Sequence, residues 1–339
     1  MFGNWIFLAV GAAVIALAVC LAAGPMARRL GVLTPGGSTR EGKPDPSVTA
    51  RIGGFAVAIP ALAAMGYLFY ETREGVYAGL GLATFAFLIL GYADDRRSLA
   101  PAYRLLLALI FSALAIYYSP GLEVSFLRFS FLSKSLFLDQ WAPVFTVLCV
   151  VGLQNAVSAA GGRKILLPGI MLFWAMLLFY HGTANLYPLL SAIAAALAVV
   201  LVFGIRGGLS LGSSGAHSLA VLLGCIAVYA YNQGFLLVTA DTVVLMFLVP
   251  VLDFLRLAIS SVLAGFSPLA ADRPNLLHLL SEVFDRDRAM FVYFAFVAIP
   301  NILAILVPAW TALLLVLVTL VYAVAYTVLS RRARGHTLA

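Results

Sequence analysis

Two adjacent carboxylates, Asp94 and Asp95, lie in the stretch GYADDRRSL between two apolar runs, with Arg96 and Arg97 directly behind them. Paired acids beside cations can hold a divalent ion, orient a phosphate or move a proton. They can also be plain solvated charge at a membrane rim, where ionisation costs far less than at the bilayer centre. Four further segments hold the other unusual polar residues: REGKPDPSVTARIGG (40–54), LQNAVSAAGGRK (153–164), RGGLSLGSSGAHS (206–218) and GFSPLAADRPNLLHLL (265–280). The glycines of the third can form a nest of backbone N–H groups around a phosphate, or simply make a turn. His217 and His278, taken singly, read as surface histidines. Asp253 and Arg256, three apart, share a helix face and read as an ion pair.

The elements that position these residues are apolar. Of 339 residues, 63% are hydrophobic and 10% charged, and the mean hydropathy is +1.05. Runs close to the ~20 residues that span a bilayer recur along the chain. They predict about eleven spans, at 4–23, 53–70, 76–93, 103–119, 141–160, 165–182, 186–205, 218–238, 242–264, 290–308 and 310–330. Such uniformly apolar runs are helices, not barrel strands, so the expected fold is an all-α polytopic membrane protein. It reads as a single transmembrane domain over 1–339, with no separate soluble domain. The first run lacks the basic flank of a signal peptide.

Charge sets the expected orientation. Of the 21 Lys and Arg, 18 fall in 24–52, 94–104, 161–164, 206–217, 256–289 and 331–339, and three in the opposite set. By the positive-inside rule the first set is cytoplasmic, with the N-terminus outside and the C-terminus inside. All five polar segments then share one face, where a soluble anion and a lipid headgroup can meet. The net charge of +7 is thus topological, and no basic stripe with interleaved aromatics points to nucleic acid. Cys20, Cys149 and Cys225 lie within spans without metal-ligand spacing and read as packing residues. A transporter fits less well, because Asp253 and Arg256 are the only ionisable residues read as mid-span and no paired broken helices are evident.

Taken in order, these segments resemble the polyprenyl-phosphate N-acetylhexosamine-1-phosphate transferase family, from about residue 24 to residue 280. RIGGFAVAIP is similar to that family's Arg-x-Gly-Gly motif, and GYADDRRSL to its Gly-x-x-Asp-Asp-x-x-x-Leu motif. GFSPLAADRPNLLHLL resembles its Ser-Pro-x-x-x-Asp-Arg-x-His-x-His-His segment. The resemblance implies a bacterial-type inner membrane and a reaction in cell-envelope polysaccharide or peptidoglycan-type synthesis. A polyprenyl (undecaprenyl) phosphate attacks the β-phosphate of a UDP-amino sugar and UMP leaves, with Mg²⁺ on the diphosphate. It assigns Asp94, Asp95 and His278 to catalysis, with Asp95 also open to metal. Asn155, Asp272, Arg273, Arg51, Gly53 and Gly54 become substrate-binding residues.

The departures are chemical. Ser158 stands where the family has Asn, Gly161 where it has Asp, and Lys164 where a further acid is common. Ser213 replaces its Mg²⁺-binding Asp, and Asn275 and Leu277 replace His. Serine is a poor substitute for a charged oxygen ligand of Mg²⁺. Lys164, with Arg163, is expected to reach Asp94 or Asp95 and supply the metal's charge. Two readings follow. One is a divergent transferase, using Mg²⁺ if active. The other is a catalytically degenerate relative without a metal, which binds a lipid phosphate or partners a second copy or another membrane enzyme.

Overall fold

The computed structural model describes residues 4–34, 49–160, 165–234, 238–265 and 275–336. Among these, thirteen α-helices account for nearly all the regular structure. In chain order they are α1 (Asn4–Leu21), α2 (Ala23–Leu30), α3 (Gly53–Thr72), α4 (Gly75–Arg97) and α5 (Pro101–Tyr118). Then come α6 (Ala142–Ala160), α7 (Leu166–His181), α8 (Tyr187–Ile205), α9 (Gly212–Gln233), α10 (Ala240–Leu263), α11 (Leu276–Val283), α12 (Arg286–Leu306) and α13 (Thr311–His336). Among the described residues nine helices are long and apolar enough to cross a membrane, and α1 with α2 makes a tenth, bent by 67°. The short α7 occupies the sixth predicted run, 165–182. The protein is an all-α polytopic membrane protein.

Helix limits follow local chemistry. Pro101 opens α5 at the position where a missing N–H costs nothing. Asn275 caps α11, its side chain accepting from the His278 N–H at 2.8 Å. Two predicted limits shift. Helix α4 runs on through both acids to Arg97, ending at Ser98 in a left-handed conformation (φ 45°). Helix α9 begins at Gly212, six residues before the predicted span, so the last residues of the stretch read as a turn form its first turn. Charged and Gly-rich residues continue these helices because tertiary partners satisfy their ends.

Helix α9 is the axis of the bundle. Of its apolar window, 94% is buried, against 22% for α5 and for the last helix. It packs most extensively on α4, as α1 does on α8, and also touches α3, α6 and α7. The ends that carry the polar segments gather at one end of the bundle. There a short strand, β1 (Leu33–Thr34), pairs with β2 (Thr49–Ala50), and Ala50 bridges to Leu209 just before α9. The opposite end is fastened by a hairpin, β3 (Phe126–Leu127) with β4 (Leu136–Phe137). Asp241 at the start of α10 accepts from the Ser130 N–H (2.9 Å) and hydroxyl (2.6 Å) beside that hairpin. Cys20 and Cys225 are buried as expected; Cys149 instead faces outward from α6.

Candidate functional site

The site is assembled around the first turn of α9. Two helix N-termini, α3 and α9, meet there, and each begins with N–H groups that lack partners inside the helix. Those of α3 are satisfied by the chain just before α9: Gly53 N–H donates to the Ser210 carbonyl and Gly54 N–H to the Leu211 carbonyl, each at 2.9 Å. Those of α9 are satisfied by an acid. Ser213 N–H donates to Asp95 Oδ1 at 2.8 Å, and Ser214 N–H to Asp95 Oδ2 at 2.9 Å.

Glycine makes this approach possible. A Cβ built on Gly54 would overlap the Gly215 backbone, and one on Gly91 would lie 2.5 Å from Ser214 Cα. Gly212 has φ +70°, and a Cβ there would sit 2.6 Å from Asp95 Oδ2. The motif glycines therefore bring α3 and α4 onto the start of α9. Any side chain at Gly54 must force backbones apart, an overpacking cost of typically ~1–3 kcal/mol.

Asp95 is thus an internal anion. Its side chain is 0% exposed, and Arg51 Nη1 adds an ion pair at 3.4 Å. A carboxylate at the C-terminal end of α4 opposes that helix's dipole, but the N-terminal dipole of α9 favours it. The N–H groups read from sequence as a phosphate nest are occupied by Asp95 itself. Both Asp95 oxygens, the ones a metal would use, accept backbone hydrogen bonds that fix the side chain in the scaffold.

Asp94 has a different environment. Its side chain keeps 12% exposure, and Oδ1 accepts from the Leu99 N–H at 3.1 Å. Its Oδ2 faces Arg104 Nη1 at 3.7 Å and His217 Nε2 at 3.8 Å. His217 is fully buried, which corrects its reading as a surface histidine. Gln154 Nε2 lies against His217 Nδ1. With the amide donating there, the imidazole's own proton is on Nε2, the nitrogen that faces Asp94. That Nε2 is buried with no partner within hydrogen-bond distance. Arg104, His217 and Gln154 are the residues that sequence reasoning missed. His217 was detectable in one way: it lies one turn after Ser213, on the same face of α9.

The other predicted residues fall elsewhere or apart. Asn155 is buried, and its Nδ2 donates to the Val151 carbonyl at 2.8 Å within its own helix. Ser158 is half-buried near the end of α6. Asn275, at a position where the family has His, caps α11 and also donates to the Ala159 carbonyl at 3.1 Å, tying α11 to the end of α6. Leu277 is buried. His278 points outward, its side chain 63% exposed and 3.3 Å from Glu282. That arrangement reads as a surface pair. Gly161, Arg163, Lys164, Asp272 and Arg273 lie outside the described residues, and so does the expected contact of Lys164 with the acid pair. Among the described residues, the cations facing Asp94 and Asp95 are Arg104 and Arg51, and the His217 imidazole faces Asp94 beside them. Asp253 and Arg256 form the expected ion pair, at 3.0 Å.

The resemblance implies Mg²⁺, and the residues present do not fit it. Among the described residues no three His, Cys, Asp or Glu converge as a metal site. Asp95 spends its oxygens on N–H donors, and Ser213 offers a neutral hydroxyl. A divalent ion on Asp94 Oδ2 would sit close to the Arg104 guanidinium. At an effective dielectric of about 20 the repulsion is on the order of 5 kcal/mol.

Comparison with known proteins converges on the same segments. Residues 77–231 match the family described as glycosyl transferase family 4, a stretch that runs from α4 through α9 and contains Asp94, Asp95, Arg104, Gln154 and His217. The chain is 28% identical over 125 residues to a Bacillus subtilis (strain 168) protein named probable undecaprenyl-phosphate N-acetylglucosaminyl 1-phosphate transferase. That match covers 36% of this chain and 34% of the relative. It is 27% identical over 203 residues to the phospho-N-acetylmuramoyl-pentapeptide-transferase of Petrotoga mobilis (strain DSM 10674 / SJ95), covering 56% of this chain and 64% of the relative. The chain thus spans about a third of one relative and just under two thirds of the other. These matches fall on the helices that build the Asp94 site, and over residues 77–231 the chain is similar to glycosyl transferase family 4.

Proposed function

We propose that this protein moves a sugar 1-phosphate from a UDP-amino sugar onto a polyprenyl phosphate, in cell-envelope synthesis at the cytoplasmic face of a bacterial-type inner membrane. The observation that carries this reading is the division of the acid pair. Asp95 is locked into the scaffold, while Asp94 keeps access to the rim and faces Arg104 and His217. In the reaction, an oxygen of the lipid phosphate attacks the β-phosphorus of the nucleotide sugar. The bond from that phosphorus to the bridging oxygen breaks, and UMP leaves with the electron pair. Asp94 takes the proton of a monoprotonated lipid phosphate and orients the attacking oxygen. The Arg104 and Arg51 guanidinium forks, with side chains 20% and 38% exposed, suit phosphate oxygens. The His217 Nε2–H faces the same point. Asp272 and Arg273 belong to the substrate side by resemblance.

The test is UMP release from UDP-N-acetylglucosamine by the purified full chain with undecaprenyl phosphate, with and without Mg²⁺. Lipid-dependent release of UMP is expected. A second reading, a degenerate relative that only holds a lipid phosphate, is favoured by Ser213 and by the engagement of both Asp95 oxygens. Saturable lipid binding without UMP from any UDP-amino sugar would leave that second reading in place.

The orientation is tested separately. With Cys149 replaced by Ala, cysteines at the exposed positions Ser98 and Arg206 should react with an impermeant thiol reagent from the cytoplasmic side. A cysteine at Ser133, beside the hairpin at the other end, should react from outside. Reaction of Ser98→Cys and Arg206→Cys from opposite faces would remove both the topology and the shared rim.

A further inference from the structure

We infer that the Asp94 site carries its own counter-charge and engages a phosphate through protein cations, without binding a divalent ion. The phosphate part rests on the function proposed above; the metal part does not. Four observations on different elements support it. Asp95 Oδ1 and Oδ2 receive the Ser213 and Ser214 N–H groups, so the acid adjacent to Asp94 is held to the start of α9 and part of its charge is already met by donors. Arg51, from the chain before α3, adds a cation on Oδ1 at 3.4 Å. Arg104, from the first turn of α5, and His217, from α9, approach the same oxygen of Asp94 from two helices, at 3.7 and 3.8 Å. That is the oxygen a metal would share with a substrate phosphate. The buried His217 Nε2 has no hydrogen-bond partner of its own, so it is an unspent donor aimed at this point.

Charge arithmetic gives the same answer. The two carboxylates contribute two negative charges, and Arg51 and Arg104 contribute two positive ones. The N-terminus of α9 adds about half a charge more. The C-terminus of α4 offsets that half charge, so among the described residues the charges are close to balanced before any ion arrives, and the unspent donor is the His217 Nε2–H. A phosphate on Arg104 and the His217 Nε2–H meets donors already oriented, as oxyanion stabilisation requires. A hydrated divalent ion meets cations.

Two measurements on the full chain in detergent test this. The first is titration with Mn²⁺, read by the electron paramagnetic resonance of the free ion. No saturable site tighter than about 1 mM is expected, the weak end of protein sites for hard divalent cations. A saturable site that persists in Asp94→Asn lies elsewhere and leaves the inference standing. A stoichiometric site in the wild type that is lost in both Asp94→Asn and Asp94→Ser overturns it, provided both variants keep the wild-type elution profile.

The second measurement is binding to vesicles of neutral lipid doped with undecaprenyl phosphate, with free inorganic phosphate as competitor. Binding should persist in EDTA and weaken tenfold or more in Arg104→Gln and in His217→Ala. Millimolar phosphate that displaces the vesicles identifies the phosphate group as the recognised chemistry. Persistence of binding against it assigns the lipid a share, and both results support the inference. Binding that requires added Mg²⁺ overturns it. If the vesicles do not bind under any condition while Mn²⁺ also finds no site, the functional reading falls and the metal-free assignment stands.

Discussion

Replacing Asp253 with alanine is expected to cost roughly 3–5 kcal/mol of folding stability, the loss seen when one member of a buried charge pair is removed. Asp253 is 2% exposed and gathers donors from three helices. The Leu276 N–H reaches both of its oxygens, at 3.1 and 3.0 Å, and the Tyr322 hydroxyl donates at 2.8 Å. Arg256 Nη2 donates at 3.0 Å, while its Nε donates to the Tyr322 oxygen at 3.1 Å and its guanidinium lies 4.2 Å from the centre of the Tyr326 ring. Without the carboxylate, Arg256 is left as a half-buried charge, and the first N–H of α11 loses its acceptor. Asp253→Asn keeps one acceptor and should cost less. Unfolding by SDS titration, followed by tryptophan fluorescence, measures both. A cost within about 1 kcal/mol for the alanine variant, the value of an exposed pair, would show that the network does not hold α11.

Sequence patterning was sufficient for the helices and insufficient for their ends. Runs such as 186–205 are apolar on every face and too long for anything but a span, so each became a helix near its predicted limits. Helix α9 started early because Gly212, Ser213 and Ser214 are helical only where an acid accepts their N–H groups. That acid, Asp95, is more than a hundred residues away in sequence. Hydrophobic period carries no information about such a partner.

The site divides in the same way. Asp94, Asp95, Arg51 and the motif glycines were legible as a set, but their separate duties were not. Arg51 and Asp95 are 44 residues apart, and nothing in their spacing says that they pair. Arg104 read as one more positive anchor in a basic rim, and a lone histidine such as His217 has no periodic companion to mark it. His278, the histidine kept from the resembling motif, is on the exposed face of α11.

The acid pair itself should split under mutation. Asp94→Asn preserves shape and the acceptor for the Leu99 N–H, and Asp94 keeps contact with the rim. Its stability should stay within about 1 kcal/mol of wild type, as for a single hydrogen bond near the surface. Lipid-dependent UMP release should fall by about 10²-fold or more, the usual contribution of a positioned general base. Asp95→Asn should behave in the opposite sense. Both oxygens accept backbone N–H groups, so whichever way the amide turns, its NH₂ meets the Ser213 or the Ser214 donor. A donor against a donor, with Arg51 losing its partner, should cost about 2–3 kcal/mol. Any loss of turnover in Asp95→Asn should then follow the fraction of unfolded protein and recover on cooling or with added lipid. Full turnover in Asp94→Asn would remove Asp94 from the reaction. Wild-type stability with lost turnover in Asp95→Asn would return the chemistry to the acid that the structure gives to the scaffold. The two variants differ by one residue in position and by no atom in chemistry, so a divided outcome can come only from what surrounds each carboxylate.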